Sequence, residues 1–279
     1  MFLSYNFLIL ELYMNRFIKY TLIILLCNGL ANVGFSQNVI QPKQYDYSLR
    51  GVLYQKEFSI EPMVQSNGLS LMMNFGEIKK YYLTRYYTIG FGILKHPKEY
   101  RQNANFQSSI SIFKNSNAFV YGKQNSLYTV RGGFGEKRYL SEKAKRKGIA
   151  VGINYGGGVS LGLVKPYFLD LIRFEEDGTS DFLSSETLTE ENEEIFTDIT
   201  RIFGSSRWTK GFGQLNVVPG FYGKFGVHFS IGAFDKFVKA IEAGIIADVY
   251  TKKIPIMIGD DNSAYFVNLY LSLQFGRRK

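Results

Sequence analysis

The chain has 279 residues, a formal charge of +9, 28 Gly, 24 Phe and 20 Tyr, yet a mean hydropathy of only −0.09. Beyond the amino-terminal region no run of about 18 apolar residues occurs, which excludes a membrane-spanning helix. No basic stripe interleaves with aromatics, which excludes nucleic acid as a partner. Excess Gly and Tyr at ordinary hydropathy suits strands with one face in lipid and the other in a polar interior.

The first element is a signal region over residues 1–36. Met14-Asn-Arg16-Phe-Ile-Lys19 reads as a basic n-region, Tyr20–Leu26 as an apolar h-region, and Gly34-Phe-Ser36 as a small-x-small cleavage site. Met14 is the expected true start, with residues 1–13 an over-extension of the reading frame. Residues 17–26 are too short for a transmembrane helix, and Asn28, Gly29 and Asn32 break the apolar character of the next turns. A helical anchor lengthened by Phe2–Tyr13 is the alternative. Cys27, the only cysteine, has no small residue immediately before it, so a lipoprotein anchor is not expected. The exported domain, 37–279, then offers no disulfide, thiol or cysteine-metal chemistry.

Eight segments read as strands, roughly 51–62, 68–79, 81–94, 125–138, 148–163, 214–231, 237–251 and 264–276. In the fifth, Ile149, Val151, Ile153, Tyr155, Val159, Leu161 and Leu163 oppose Gly152, Asn154, Gly156, Gly158, Ser160 and Gly162. Small residues on the inner face suit a narrow barrel. The sixth sets Phe221, Phe225, Val227, Phe229 and Ile231 against Tyr222, Lys224, Gly226, His228 and Ser230. Tyr265, Val267, Leu269, Leu271, Leu273 and Phe275 share one face of the last, the length a tilted strand needs to cross a bilayer. Lys56 breaks the apolar phase of the first segment, which implies a bulge.

The connections Glu77–Tyr81, Leu140–Lys147 and Ala233–Lys236 are short, whereas those near 95–124 and 164–213 are long. That is the short-inside, long-outside rule of outer-membrane barrels. Ser66-Asn67-Gly68 is a tight hairpin. Residues 106–122 would add a hairpin and make ten strands; eight is preferred. Residues 174–200 hold ten acids and no Lys or Arg. Within them Thr187 through Phe203 reads as a capped amphipathic helix, with Leu188, Ile195, Ile199, Ile202 and Phe203 apolar. The charge run is either a solvated loop or a cation-bridged contact, with Glu175, Glu176 and Asp177 as candidates.

Gly51-Val-Leu-Tyr54-Gln-Lys-Glu-Phe58, His96-Pro-Lys-Glu99, Tyr121-Gly-Lys-Gln124-Asn125, Tyr155-Gly-Gly-Gly158, Ile241-Glu-Ala-Gly244 and Tyr270-Leu-Ser-Leu-Gln-Phe275-Gly occur together across the exported domain. In this combination the chain resembles a family of outer-membrane β-barrel proteins of Bacteroidota that has no established activity. The resemblance implies location and fold and no catalytic residues.

One constellation has the form of a nucleophilic site. His228-Phe-Ser230 with Glu242 looks like the His-x-Ser and distant Glu of lipid A 3-O-deacylases, barrels that cut an acyl ester from lipopolysaccharide. In such a set, histidine activates the hydroxyl and the carboxylate orients the histidine. Here all three fall on the inward phase, whereas a lipid approaches from outside, and Ile231 follows Ser230 where those enzymes carry asparagine. The alternative is a hydrogen-bonded ladder inside a narrow lumen. His96 beside Pro97 is a strand-ending turn or a binding epitope, and a poor metal site. Gly132-Gly133-x-Gly135 and Gly156–Gly158 lie inside strands and are not phosphate loops. Arg131, Glu57 and Glu61 take inward phases as interior bridges. Lys143, Lys145, Arg146, Lys147 and Arg277–Lys279 are rim cations, able to meet anionic headgroups.

The predicted fold is all-β: a transmembrane antiparallel barrel of eight strands with a short helix in a long extracellular loop. The predicted role is structural, or docking of outer-membrane lipid, lipopolysaccharide or another envelope protein through loops 95–124 and 164–213, with a plugged lumen. A narrow channel is the first alternative and needs ten or more strands; a lipid A hydrolase using His228, Ser230 and Glu242 is the second. No cofactor or metal is expected.

Overall fold

Eight long strands close on themselves in the computed structural model, which describes residues 54–80, 82–103, 117–140, 149–174, 181–231, 236–259 and 262–279. In chain order the strands are β1 (Lys56–Gln65), β2 (Gly68–Lys80), β3 (Leu83–Leu94), β4 (Arg101–Gln102), β5 (Phe119–Val120), β6 (Asn125–Tyr139), β7 (Ala150–Pro166), β8 (Leu169–Phe174), β9 (Asp181–Glu186), β10 (Ile202–Ser205), β11 (Asn216–Ser230), β12 (Phe237–Tyr250) and β13 (Tyr265–Arg278). The wall runs β1-β13-β12-β11-β7-β6-β3-β2, with every neighbouring pair antiparallel. The expected signal region, 1–36, and the cationic segment Lys143–Lys147 lie outside the described residues.

The register sets the shape. Starting at Gln65 and stepping through Tyr270, Gly244, Gly226, Asn154, Lys137, Thr84 and Ile78 returns to β1 at Gln55, ten residues below the start. A stagger of ten over eight strands tilts them by about 40° and leaves a bore that side chains can fill. Period-two alternation then sorts every residue: β1 and β11 alternate exposed and buried along almost their whole length.

Glycine makes room where large inward side chains lie along the inner wall. A Cβ on Gly226 would lie 2.3 Å from the Tyr270 hydroxyl, and one on Gly135 would lie 2.5 Å from that of Tyr86. On β7, with the small inner face read from the sequence, a Cβ on Gly162 would lie 2.8 Å from the Tyr250 ring and one on Gly156 3.4 Å from the Tyr86 hydroxyl.

The β2–β3, β6–β7 and β11–β12 connections lie at one barrel end, and the long connections lie at the other together with the tight β1–β2 turn at Ser66-Asn67. There, Leu94, Leu127, Val164, Val218 and Tyr250 pack with Ile254 and Ile256 of the β12–β13 connection. Beyond them stands a three-stranded sheet, β10-β8-β9, on its own core of Phe119, Leu169, Leu171, Phe196 and Ile202.

Three expectations are corrected. The first strand begins five residues late, at Lys56, so this lysine sits at the rim and no bulge is needed. The expected eight wall strands are the ones that close the barrel; of the alternative hairpin, β5 pairs with β4 outside the wall, and residues 104–116 lie outside the described residues. The long loop near 164–213 carries sheet structure. Its predicted helix shrinks to α1 (Glu193–Thr197). The reason is Asn192, whose side chain takes the Thr189 N–H (2.8 Å) and donates to Glu186 and the Thr187 carbonyl, tying the start of the segment to β9. Ile202 meanwhile pairs with Leu171 in the sheet.

Candidate functional site: the charged lumen

The inward phases of the wall strands carry an unusual load of buried charge. Arg131, Lys137, Lys224 and Arg278 face Glu57, Glu61, Glu242 and Asp248, four cations against four anions. A charge taken out of water costs several kcal/mol unless it is paired and its remaining hydrogen-bonding capacity is used. Both conditions are met here in three levels.

Nearest the short turns, Lys137 donates to Glu57 Oε1 (2.9 Å) and Gln274 Oε1 (2.8 Å), while Arg278 donates to Glu57 Oε2 (2.8 Å). At mid-height, Glu61 accepts from Lys224, Ser272 (2.7 Å), Asn74 (2.9 Å) and Gln274 (3.0 Å). Lys224 also sits 2.9 Å from Glu242 Oε1. Glu242 takes the Tyr270 hydroxyl (2.6 Å) and the Asn154 amide (2.8 Å), and Tyr86 donates to Asn154 Oδ1 (2.6 Å). Higher still, Arg131 makes a two-point bond to Asp248 and a third to Ser70 Oγ.

Three of these ion pairs cross the bore. Lys137 on β6 reaches Glu57 on β1, Lys224 on β11 reaches Glu61 on β1, and Arg131 on β6 reaches Asp248 on β12. In each pair the two strands are three places apart around the wall. Such cross-links hold one interior arrangement, because each end leaves an uncompensated charge if it moves.

The predicted constellation is partly assembled. His228 and Glu242 are direct cross-strand partners, with Nδ1 3.0 Å from Glu242 Oε2. Ser230 occupies the next inward position on β11, opposite Ala240. His228 Nε2 and Ser230 Oγ do not hydrogen-bond to each other. The link that would activate a serine is therefore missing, and Glu242 is shared among Lys224, Tyr270 and Asn154. All three side chains are wholly buried and face away from the outer surface.

Sequence reading placed Glu57, Glu61 and Arg131 inside but missed that Lys137, Lys224 and Asp248 are their partners or equivalents. Their inward phase was a usable signal; their pairing was not.

His96-Pro97-Lys98-Glu99 is a built turn. Glu99 accepts the His96 N–H at 3.0 Å and pairs with Lys123 at 2.5 Å. Burial pushes the Lys123 ammonium down from its ordinary value, against the pull of Glu99. Of the acid-rich stretch, Glu175, Glu176 and Asp177 lie outside the described residues. Glu186 takes a two-point bond from Arg173 (2.9 and 2.6 Å), whose donation holds the carboxyl down at about 2.

No protein-family model matches the chain, and no curated protein matches its sequence. The solved structures similar to it include two outer-membrane proteins. A major outer membrane protein from Thermus thermophilus shares 10% identity at a TM-score of 0.39, over 80% of this chain and 99% of that one. Neisserial surface protein A shares 13% at a TM-score of 0.32, over 81% and 95%. The barrel itself is established by the register of this chain's own strands.

Proposed function

We propose that the chain is an integral outer-membrane barrel, exported through its amino-terminal signal region, with a closed lumen and a structural or partner-docking role. The layering of the outer wall carries this reading. Lys56, Glu77, Arg85 and Glu136 are consecutive neighbours across β1, β2, β3 and β6 on the outward face. One step up the wall stand Phe58, Phe75, Tyr87 and Phe134, and the next step brings Ile60, Met73 and Ile89. Charge, then aromatic, then aliphatic is the cross-section of a membrane interface. From Tyr265 to Phe275 a tilted strand rises about 25 Å, the height of an outer-membrane apolar band. The β2–β3, β6–β7 and β11–β12 turns then lie in the periplasm and the β8–β10 sheet outside the cell, where the long loops can meet lipopolysaccharide or another envelope protein.

The paired interior supports a closed lumen. The cavity beside Lys224, between Met72, Asn74, Tyr86 and Tyr222, holds about 10 Å³, room for one water. Above it Ile254 and Ile256 pack against Leu94, Leu127, Val164, Val218 and Tyr250 of five wall strands. The reading places the chain with the Bacteroidota barrels its sequence resembles.

Two measurements test it. The protein should be found in the outer-membrane fraction and shift in gels on heating; release by carbonate would refute the membrane reading. In planar bilayers it should give no steady conductance, and a reproducible unit conductance would refute the closed lumen.

A further inference from the structure

Arg207, Trp208, Thr209 and Lys210 form a turn closed by Lys210 N–H to Arg207 O at 3.0 Å, and all four side chains are exposed. The turn is clamped from below. Lys165, at the top of β7, donates to the carbonyls of Trp208 and Lys210 and lies 4.9 Å from the Phe212 ring. Gly211 follows with φ of 88°, and a Cβ there would approach the Phe168 ring to 3.0 Å. From this clamp a file of rings descends the outer wall: Trp208 to Phe212 at 5.3 Å, Phe212 to Tyr128 at 6.2 Å, Tyr128 to Phe91 at 6.1 Å. Tyr128 and Phe91 belong to the outward faces of β6 and β3. Trp208 is nonetheless 68% exposed and Phe212 42%. Arg207 and Lys210 make no ion pair among the described residues.

We propose that residues 207–212 are an outer-leaflet docking strap for a phosphorylated lipid. Trp208 and Phe212 enter the acyl boundary, and Arg207 with Lys210 holds the headgroup phosphate. Indole and phenyl rings favour this depth, where one edge is wet and the other apolar. A guanidinium fork and an ammonium with no ion-pair partner among the described residues complement a phosphate. The occupant is a lipid rather than a soluble protein because the rings are continuous with the wall that faces hydrocarbon. The inference rests on the membrane reading above.

Trp208 is the only tryptophan of the chain, so its fluorescence reports on the strap alone. The full-length protein, reconstituted in phosphatidylcholine vesicles, should be quenched by lipid brominated near the glycerol and little by lipid brominated at the chain end. Adding phosphatidic acid should shift the emission saturably. Arg207→Ala with Lys210→Ala should raise the half-saturating fraction about thirty-fold, the effect of two surface cations. Lys252→Ala with Lys253→Ala, which removes exposed cations from another loop, should leave it unchanged. Absence of quenching in protein that still shifts on heating overturns the strap and leaves the barrel standing. An equal response from the two double variants overturns the phosphate site. Protein that neither shifts on heating nor enters vesicles refutes the membrane reading itself.

Discussion

Arg131 and Asp248 meet inside the barrel in a two-point bond, Nε to Oδ1 at 2.8 Å and Nη2 to Oδ2 at 2.7 Å, with neither side chain exposed. One is on β6 and the other on β12, so the pair ties two strands that share no ladder. Ser160 adds a bond to Asp248 and Ser70 one to Arg131, so the pair has little freedom to rotate away. Two charges with complementary partners lock the bore; one of them alone is a liability.

This asymmetry is measurable. Asp248→Ala should lower stability by about 3–5 kcal/mol, because Arg131 stays buried without its counter-charge. Arg131→Met together with Asp248→Leu should cost far less. Urea midpoints in lipid give both values. A double variant as unstable as the single one would show that the charges are not coupled.

The outer wall should punish charge according to depth. Leu271 is outward and 54% exposed in the middle of β13, whereas Phe275 lies one step above the rim residue Arg277. Leu271→Arg should cost about 2–4 kcal/mol and Phe275→Asp about 1 kcal/mol, with membrane abundance falling in that order. Equal abundance of both variants and the parent protein would mean that this face does not meet lipid.

His228, Ser230 and Glu242 should carry no lipid chemistry, since the serine is not bonded to the histidine and all three face the lumen. Ser230→Ala removes the hydroxyl with little change of volume. Mass spectra of lipid A are expected to be the same with the parent protein, with Ser230→Ala and with empty vector. A missing acyl chain with the parent protein alone would make this an enzyme, since losing a nucleophile costs orders of magnitude in rate.

The sheet outside the barrel should loosen in acid. Glu186 titrates at about 2 against an ordinary 4.5, because Arg173 donates to its ionised form. A depressed folded value means that the bond contributes fully above about 4.5 and is lost as pH falls toward 2. The protection factors of β8 and β9 amides, corrected for the intrinsic exchange rate at each pH, should therefore fall across that window, and Glu186→Gln should remove that pH dependence. Protection unchanged from pH 5 to 2 would show that Arg173 and Glu186 do not hold these strands together.

Much of this architecture is written locally. Alternation with period two depends only on neighbours two residues apart, so Leu269, Leu271 and Leu273 could be assigned outward, and Asn268, Ser272 and Gln274 inward, before any contact was known. The same reasoning put His228 and Glu242 inside. It mistook the start of β1, where an apolar lead-in to Lys56 imitates a strand. It also missed β8 to β10, because an acid-rich segment reads as a loop until Leu169 and Leu171 find a core.

The sequence by itself determined the class of fold, the number of wall strands and the face of most residues, since these follow from chain-local periodicity and turn lengths. Only the tertiary structure decided which charge meets which. Lys224 and Glu61 are 163 positions apart and on strands that share no ladder. They face each other because the closed wall returns with a stagger of ten residues. That stagger belongs to the whole ring of eight strands, and no single segment encodes it.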